Sequence, residues 1–365
     1  MIKIAVVTWP GTGGNMGTIL QGMALVQKLR KLGYDARFFT SYKRNGNLLK
    51  YFVKKVLCML GVKKFVDVRQ RLLKDFRKKY SYEFIPNTLI ERRHFINNID
   101  VFITGSDQIW NTYFKYNPFY FLDFVKQKKK IAYSSSIGTV DVNPLYKDRV
   151  RKHLLEFSHI GVREKEAVDA LALLTNRNDI VHVLDPVFLL NKSEWGIFAN
   201  KAPIKHNDIP EHYILCYIVG VNEYYHEQIN DVKNEYGINS VIIVPAKNKP
   251  NFMHENAIII ENAHPFDFLY LIEHATIVCS DSFHATAFCI NFSKEFILLK
   301  RFVDKDIASQ NSRLTGLLAR FGLEYKQYCK DTRRWKQPID YTKVVPILEK
   351  DRSDSIDFLV NAVIR

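Results

Sequence analysis

Residues 279–288 (Cys279-Ser280-Asp281-Ser282-Phe283-His284-Ala285-Thr286-Ala287-Phe288) join an apolar run to a helix-like stretch through residues that favour helix caps. That spacing puts His284 in the first helical turn, where free backbone amides and the positive end of the dipole attract anions. An imidazole there has the chemistry of a general acid or base, although a histidine on an apolar helix also serves in packing. Asp281 reads as a cap. Gly161-Val162-Arg163-Glu164 sets an arginine at the end of another apolar run. Its planar guanidinium suits a bidentate grip on carboxylate or phosphate, or an ion pair with Glu164 or Glu166. Ser106, Asp107, Gln108 and Asn111 follow a third run, with Trp110 among them. They suit a sugar or anion site, and equally a capped turn with Trp110 in the core.

Pro10-Gly11-Thr12-Gly13-Gly14-Asn15-Met16-Gly17 forms a glycine-rich turn after the first apolar run. A dinucleotide fingerprint starting at Gly11 would need glycine where Met16 stands, so NAD or FAD binding is not expected. Gly14 and Asn15 are better read as a loop offering backbone amides to a ligand, or as a tight turn. No Ser-His-Asp order, HExxH, P-loop or acidic metal pair stands out. His153, His159, His206, His212 and His264 read as surface or packing residues.

The elements that position these residues alternate. Apolar runs at 2–9, 36–40, 99–106, 130–138, 159–164 and 180–185 read as strands, with helical stretches at 18–33, 144–157 and 164–174. After Asp185-Pro186 the pattern restarts. Strands are expected at 212–220, 240–244, 257–260, 276–280 and 295–299, and helices near 222–236, 265–274 and from 283. A helical tail begins near 309, with a break at 335–338. This is an α/β chain of two Rossmann-like domains in tandem, residues 1–190 and 191–335, with a cleft between them. Residues 336–365 are expected as C-terminal helices packing back on the first domain.

The chain has 365 residues, 47% hydrophobic and 25% charged, which excludes a disordered or fibrous protein. Five cysteines without a CxxC pair argue against a disulfide framework or a structural zinc, and fit a reducing cytoplasm. The opening MIKIAVVTW reads as a strand rather than a secretion signal, and no apolar stretch is long enough to span a membrane. The net charge is +15, and it is concentrated: thirteen basic residues between Lys43 and Lys79 face only Asp67 and Asp75. Within that segment Leu48, Leu49, Phe52, Val53, Val56, Leu57, Met59 and Leu60 share one helical half, with Lys50, Lys54 and Lys55 off it. Such a basic amphipathic helix suits an anionic membrane surface, with Lys50, Lys54, Lys55, Lys63 and Lys64 facing phosphates. A core-packed helix with a solvated lysine face fits the same pattern. Nucleic acid is not expected as a partner, because no recognition motif accompanies the charge.

In order along nearly the whole chain, these motifs resemble the polysaccharide pyruvyl transferase family. The likeness rests on Gly14-Asn15-Met16-Gly17 with Leu20-Gln21, on Gly105-Ser106-Asp107-Gln108-Ile109-Trp110-Asn111 and on Ala132-Tyr133-Ser134-Ser135-Ser136-Ile137-Gly138. It continues through Val162-Arg163-Glu164, Leu184-Asp185-Pro186-Val187 with Trp195, and Ser280 to Phe288. Asn311-Ser312-Arg313-Leu314 with Gly322-Leu323 completes it. Two positions depart from the family pattern. Ala285 stands where glycine is usual. Ser282 stands where some members carry an arginine that helps hold the donor, so donor binding here draws on other cations.

The resemblance implies a GT-B-like fold and transfer of the enolpyruvyl unit of phosphoenolpyruvate to a sugar, closing a pyruvate ketal in bacterial polysaccharide biosynthesis. It implies His284 as the acid, Arg163 as a catalytic and donor contact, Ser282 and Phe283 in the donor site, and Lys300 and Arg301 as further donor-binding cations. Gly14, Asn15, Ser106, Asp107, Gln108 and Asn111 are expected to face the acceptor or the cleft. Phosphoenolpyruvate is then a co-substrate; no metal or other cofactor is called for. An undecaprenyl-diphosphate-linked acceptor at the inner face of the cytoplasmic membrane would give the basic segment a purpose. Two alternatives stay open: a GT-B nucleotide-sugar glycosyltransferase, and a non-catalytic carbohydrate-binding or assembly protein.

Overall fold

The computed structural model describes residues 1–11, 14–40, 68–80, 82–86, 88–204, 209–246, 252–299 and 311–365. The first lobe runs β1 (Lys3–Val7), α1 (Met16–Lys31), β2 (Asp35–Thr40), α2 (Val68–Lys79), β3 (Tyr82–Phe84), α3 (Leu89–Asn97) and β4 (Val101–Thr104). It continues through α4 (Thr112–Lys115), β5 (Lys129–Ser135), α5 (Lys147–Leu154), β6 (His159–Val162), α6 (Lys165–Thr175) and β7 (Ile180–His182). Its seven strands pair in the order β3-β2-β1-β4-β5-β6-β7, all parallel.

The second lobe comprises α7 (Lys192–Ala199), β8 (Ile214–Tyr217), α8 (Tyr225–Tyr236), β9 (Val241–Ile243), β10 (Ile258–Ile259), α9 (Pro265–His274), β11 (Ile277–Ser280), α10 (Phe283–Phe292) and β12 (Phe296–Leu298). Its five strands pair in the order β10-β9-β8-β11-β12, again all parallel. Helices α11 (Asn311–Arg320) and α12 (Tyr341–Ile364) follow.

Burial on both faces explains the unbroken apolar runs. Along β1, Ile4 and Val6 point to one side, against Leu25 and Leu29 of α1; Ala5 and Val7 point to the other, into the cluster that holds Trp110 and Phe121. Helix α12 spans the two lobes. Val344 and Leu348 near its start join the core that contains α9 and α10, and Leu359, Ala362 and Val363 near its end pack with Ile103, Ile131 and Tyr133 of the first sheet.

Helix α2, the described part of the basic segment, packs rather than floats. Leu73 and Phe76 enter the inter-lobe core, with Phe76 edge-on to Phe266. Arg69, counted by sequence among the basic patch, is buried. Its guanidinium donates to the carbonyls of Gly14 (3.0 Å), Pro245 (2.5 Å) and Glu261 (3.2 Å), stitching the first lobe to the second. Lys50, Lys54, Lys55, Lys63 and Lys64, and the amphipathic run around them, lie outside the described residues, as do Lys300 and Arg301. No described helix is long and apolar enough to cross a membrane.

Candidate functional site

In each sheet the strand order reverses direction between two neighbours, β1 and β4 in the first and β8 and β11 in the second. Loops diverge there and leave a crevice at the carboxyl ends of the strands. The two crevices face each other across a cavity of about 420 Å³. The first lobe contributes Trp9, Asn15, Thr18, Asp107, Gln108 and Phe114; the second contributes Val219 to Val221 and Ser282 to His284, with Arg313 of α11 at the border.

Two helices begin at this cavity. Asn15 caps α1, its Oδ1 accepting from the amides of Gly17 (3.0 Å) and Thr18 (3.3 Å). Tyr217, at the end of β8, reaches across the lobes: its hydroxyl accepts from the Met16 amide at 3.1 Å. Ser282 caps α10 through Ala285 N at 3.5 Å, so His284 occupies the first turn, as the spacing predicts. The two helix starts touch, because a Cβ added to Gly17 would fall 2.2 Å from the Cβ of His284.

The sequence reading of Asp281 as a cap is corrected. Its carboxylate instead accepts from the amides of Val219 and Gly220, each at 2.7 Å, and from the Tyr225 hydroxyl at 2.8 Å. It therefore clamps the loop that forms the second lobe's wall of the cavity.

Behind the cavity wall lies a buried charge cluster. Asp185, fully buried, accepts through Oδ2 from Ser106 Oγ (2.9 Å) and Arg163 Nη1 (3.1 Å), and through Oδ1 from the Val187 amide (3.1 Å). His284 Nε2 stands 3.6 Å from the same Oδ2. Burial works against the charge on Asp185, but His284 and then Arg163 outweigh it and hold the carboxyl well below the usual carboxylate range. Burial likewise opposes the charge on Arg163, while Glu164, Asp185 and Asp107 raise it above the ordinary value.

The structure brings Arg163 and His284 to one carboxylate, and it changes what Arg163 faces. The side chain of Arg163 is 1% exposed, with Nε bonded to Glu164 at 3.2 Å and its guanidinium carbon 4.3 Å above the Phe283 ring. It sits behind Phe283 and does not border the large cavity; the ion pair with Glu164, one of the two sequence readings, is the arrangement present. Among the described residues its Nη2 has no hydrogen-bond partner, and Arg163 borders a second cavity of about 40 Å³, together with His182, Arg313 and Arg320.

Of the six acceptor candidates, Asn15, Asp107 and Gln108 border the cavity. Asp107 is held by the Thr18 hydroxyl at 2.7 Å. Ser106 is buried on Asp185, and Asn111 is buried as the cap of α4 while its side-chain amide donates to Gln108 Oε1 at 2.9 Å. Gly14 turns its carbonyl to Arg69. Trp110 takes its packing role, stacked on Phe121 with its ring nitrogen donating to the Tyr120 carbonyl at 3.0 Å. Sequence reasoning passed over Trp9, Thr18, Phe114, the 219–221 loop and above all Asp185. Asp185 enters the sequence reading only as part of the motif Leu184-Asp185-Pro186-Val187, with no role in the site. Among the described residues, no group of histidine, cysteine and carboxylate side chains is arranged to hold a metal ion.

The architecture is that of GT-B proteins. UDP-GlcNAc 2-epimerase from Neisseria meningitidis, bound to UDP-GlcNAc, aligns with a TM-score of 0.50 at 11% identity, over 99% of this chain and 100% of that one. The Methanocaldococcus jannaschii UDP-GlcNAc 2-epimerase in complex with UDP-GlcNAc and UDP gives 0.50 at 13% identity, covering 99% of each chain. An alpha-glucosyltransferase in complex with UDP and a 13-mer DNA gives 0.50 at 11%, covering 100% of each. At these identities the likeness is one of fold. No curated protein matches the sequence. The family model for polysaccharide pyruvyl transferase, by contrast, matches residues 15–301, from the cap of α1 to just past β12, and the chain belongs to that family.

Proposed function

We propose that this protein transfers the enolpyruvyl group of phosphoenolpyruvate to a sugar bearing two suitably placed hydroxyls, with His284 as the proton donor. The observation that carries the reading is the position of His284: in the first turn of α10, bordering the inter-lobe cavity, with Nε2 turned to a buried carboxylate.

Phosphoenolpyruvate is an enol phosphate, so C3 must gain a proton before C2 becomes electrophilic. An imidazolium within reach of C3 supplies that proton. The first sugar hydroxyl then adds to C2 and gives up its proton, which restores the imidazolium. The C2–O bond to phosphate breaks and phosphate leaves. The second hydroxyl adds to C2, its proton leaves with phosphate, and the ketal is closed. One donor and one diol yield one ketal and one hydrogen phosphate.

The donor brings a carboxylate and a phosphate, and the positive dipole ends of α1 and α10 lie at the cavity that Arg313 borders. Arg313 takes up the task that an arginine at position 282 performs in some relatives. Lys300 and Arg301 are proposed as further donor cations from the sequence. Arg163, behind Phe283, acts on the site through Asp185. The acceptor is held between Asp107 and Gln108 on one side and the 219–221 loop on the other, which aligns both hydroxyls for attack. The basic stretch from Lys43 to Lys79 supports a lipid-linked acceptor at an anionic surface.

The test is phosphate release from phosphoenolpyruvate, screened against free and lipid-linked sugars. Thermal stabilisation by phosphoenolpyruvate and not by UDP- or GDP-sugars is expected. Stabilisation by nucleotide sugars alone would favour a glycosyltransferase, and donor binding without turnover on any acceptor would favour a binding protein.

A further inference from the structure

Asp185 follows β7 of the first lobe and His284 opens α10 of the second, and they meet behind the cavity wall. The orientation of Asp185 is fixed independently of His284. Ser106, Arg163 and the Val187 amide arrive from three different segments and occupy both of its oxygens. His284 Nε2 is buried and has no hydrogen-bond partner among the described residues, Asp185 Oδ2 standing 3.6 Å away, while Gly17 closes against the ring from α1. With Nε2 turned inward, Nδ1 lies on the side of the ring that faces Gly17 of α1.

Arg163 and Glu164 complete the buried charge cluster around Asp185. The other charged or titratable groups that face this pair are Asp107 and Arg313 at the cavity, and His182 and Arg320 behind Phe283.

We propose that Asp185 is a positioning residue: its carboxylate, held by Ser106, Arg163 and the Val187 amide, faces Nε2 of His284 at 3.6 Å and fixes the ring that delivers the proton to the substrate. This rests on the reading of His284 as the acid.

The experiment combines kinetics with NMR of histidine-15N-labelled protein. In the wild type the neutral ring of His284 should carry its proton on Nε2. In Asp185→Asn, kcat should fall at least about tenfold with a smaller change in KM for phosphoenolpyruvate. Ser106→Ala, which removes a neutral bond to the same oxygen, should lower kcat less. An Nδ1-protonated neutral ring in the wild type, or folded Asp185→Asn with an unchanged kcat, would overturn the proposal. If Asp185→Asn does not fold, the wild-type tautomer decides. Should no sugar release phosphate from phosphoenolpyruvate, the pyruvyl reading fails, and the NMR signature still reports on the pair.

Discussion

Gly17 and His284 approach so closely that a methyl group on the glycine would sit 2.2 Å from the histidine Cβ and 2.6 Å from Nδ1. Helix α1 and helix α10 therefore meet only because position 17 has no side chain. Gly17→Ala should push the lobes apart or turn the ring. Expected are a loss of about 1–3 kcal/mol in stability, typical of overpacking, and a larger proportional loss of turnover. Denaturant melts and kcat measured together check this; normal turnover would mean that the contact is slack.

His284→Ala should lower turnover by about 10²-fold or more, the usual scale for losing a general acid, while the melting temperature stays close to that of the wild type. Steady-state phosphate release beside a thermal melt is the measurement, and near-normal turnover would remove the histidine from the chemistry.

Asp281→Asn should loosen the 219–221 loop. The carboxylate accepts from two amides and a hydroxyl, and an amide side chain offers one oxygen in place of two, leaving a buried donor unmatched. A cost of about 1–3 kcal/mol is expected. KM for the sugar should rise more than KM for phosphoenolpyruvate, and hydrogen exchange should quicken at Val219 and Gly220.

His264 provides a pH test away from the site. It caps α9, its Nδ1 accepting from the Phe266 amide at 3.0 Å. Burial first, and then Lys79, push its pKa down from 6.5 to about 4. The unfolded chain thus takes up a proton that the folded chain refuses. The stability that depends on the neutral ring is complete above 6.5 and is lost as pH falls towards 4. Melting temperatures across that window should fall for the wild type and fall less for His264→Asn, which keeps a cap.

The basic segment gives a partner test. Anionic liposomes should sediment the protein at low salt and release it at high salt. Replacing Lys50, Lys54, Lys55, Lys63 and Lys64 by glutamine should abolish the effect, and a protein that ignores the vesicles at both salts would leave the charge without a lipid role.

Much of this was legible from local pattern. The apolar runs around Ile4, Val101 and Ile131 announce parallel strands because both of their faces are buried, and polar residues at the ends of such runs lie where a doubly wound fold places ligands. Residues 82–84 and 89–97 were harder: β3 is three residues long, and α3 has no buried side chain to impose a helical period. What sequence could not supply was pairing at a distance. Arg69 looks like one more charge in a basic run until Pro245 and Glu261 are brought to it. Arg163 looks free to meet a ligand until Asp185, 22 positions later, takes its guanidinium. Asp281 looks like a cap until a loop 62 residues upstream needs its oxygens.

One long helix at the end of the chain has a mechanical consequence. Since α12 is anchored in one core at Val344 and Leu348 and in the other at Leu359 and Val363, the halves are joined twice, by the passage after β7 and by this strut. Two tethers permit a jaw-like gape about the line connecting them and resist swivelling. Pro346 deletes one rung of the helical ladder between Val344 and Leu348, inside the anchored end, and leaves the span from Leu348 to Leu359 a rod without a proline.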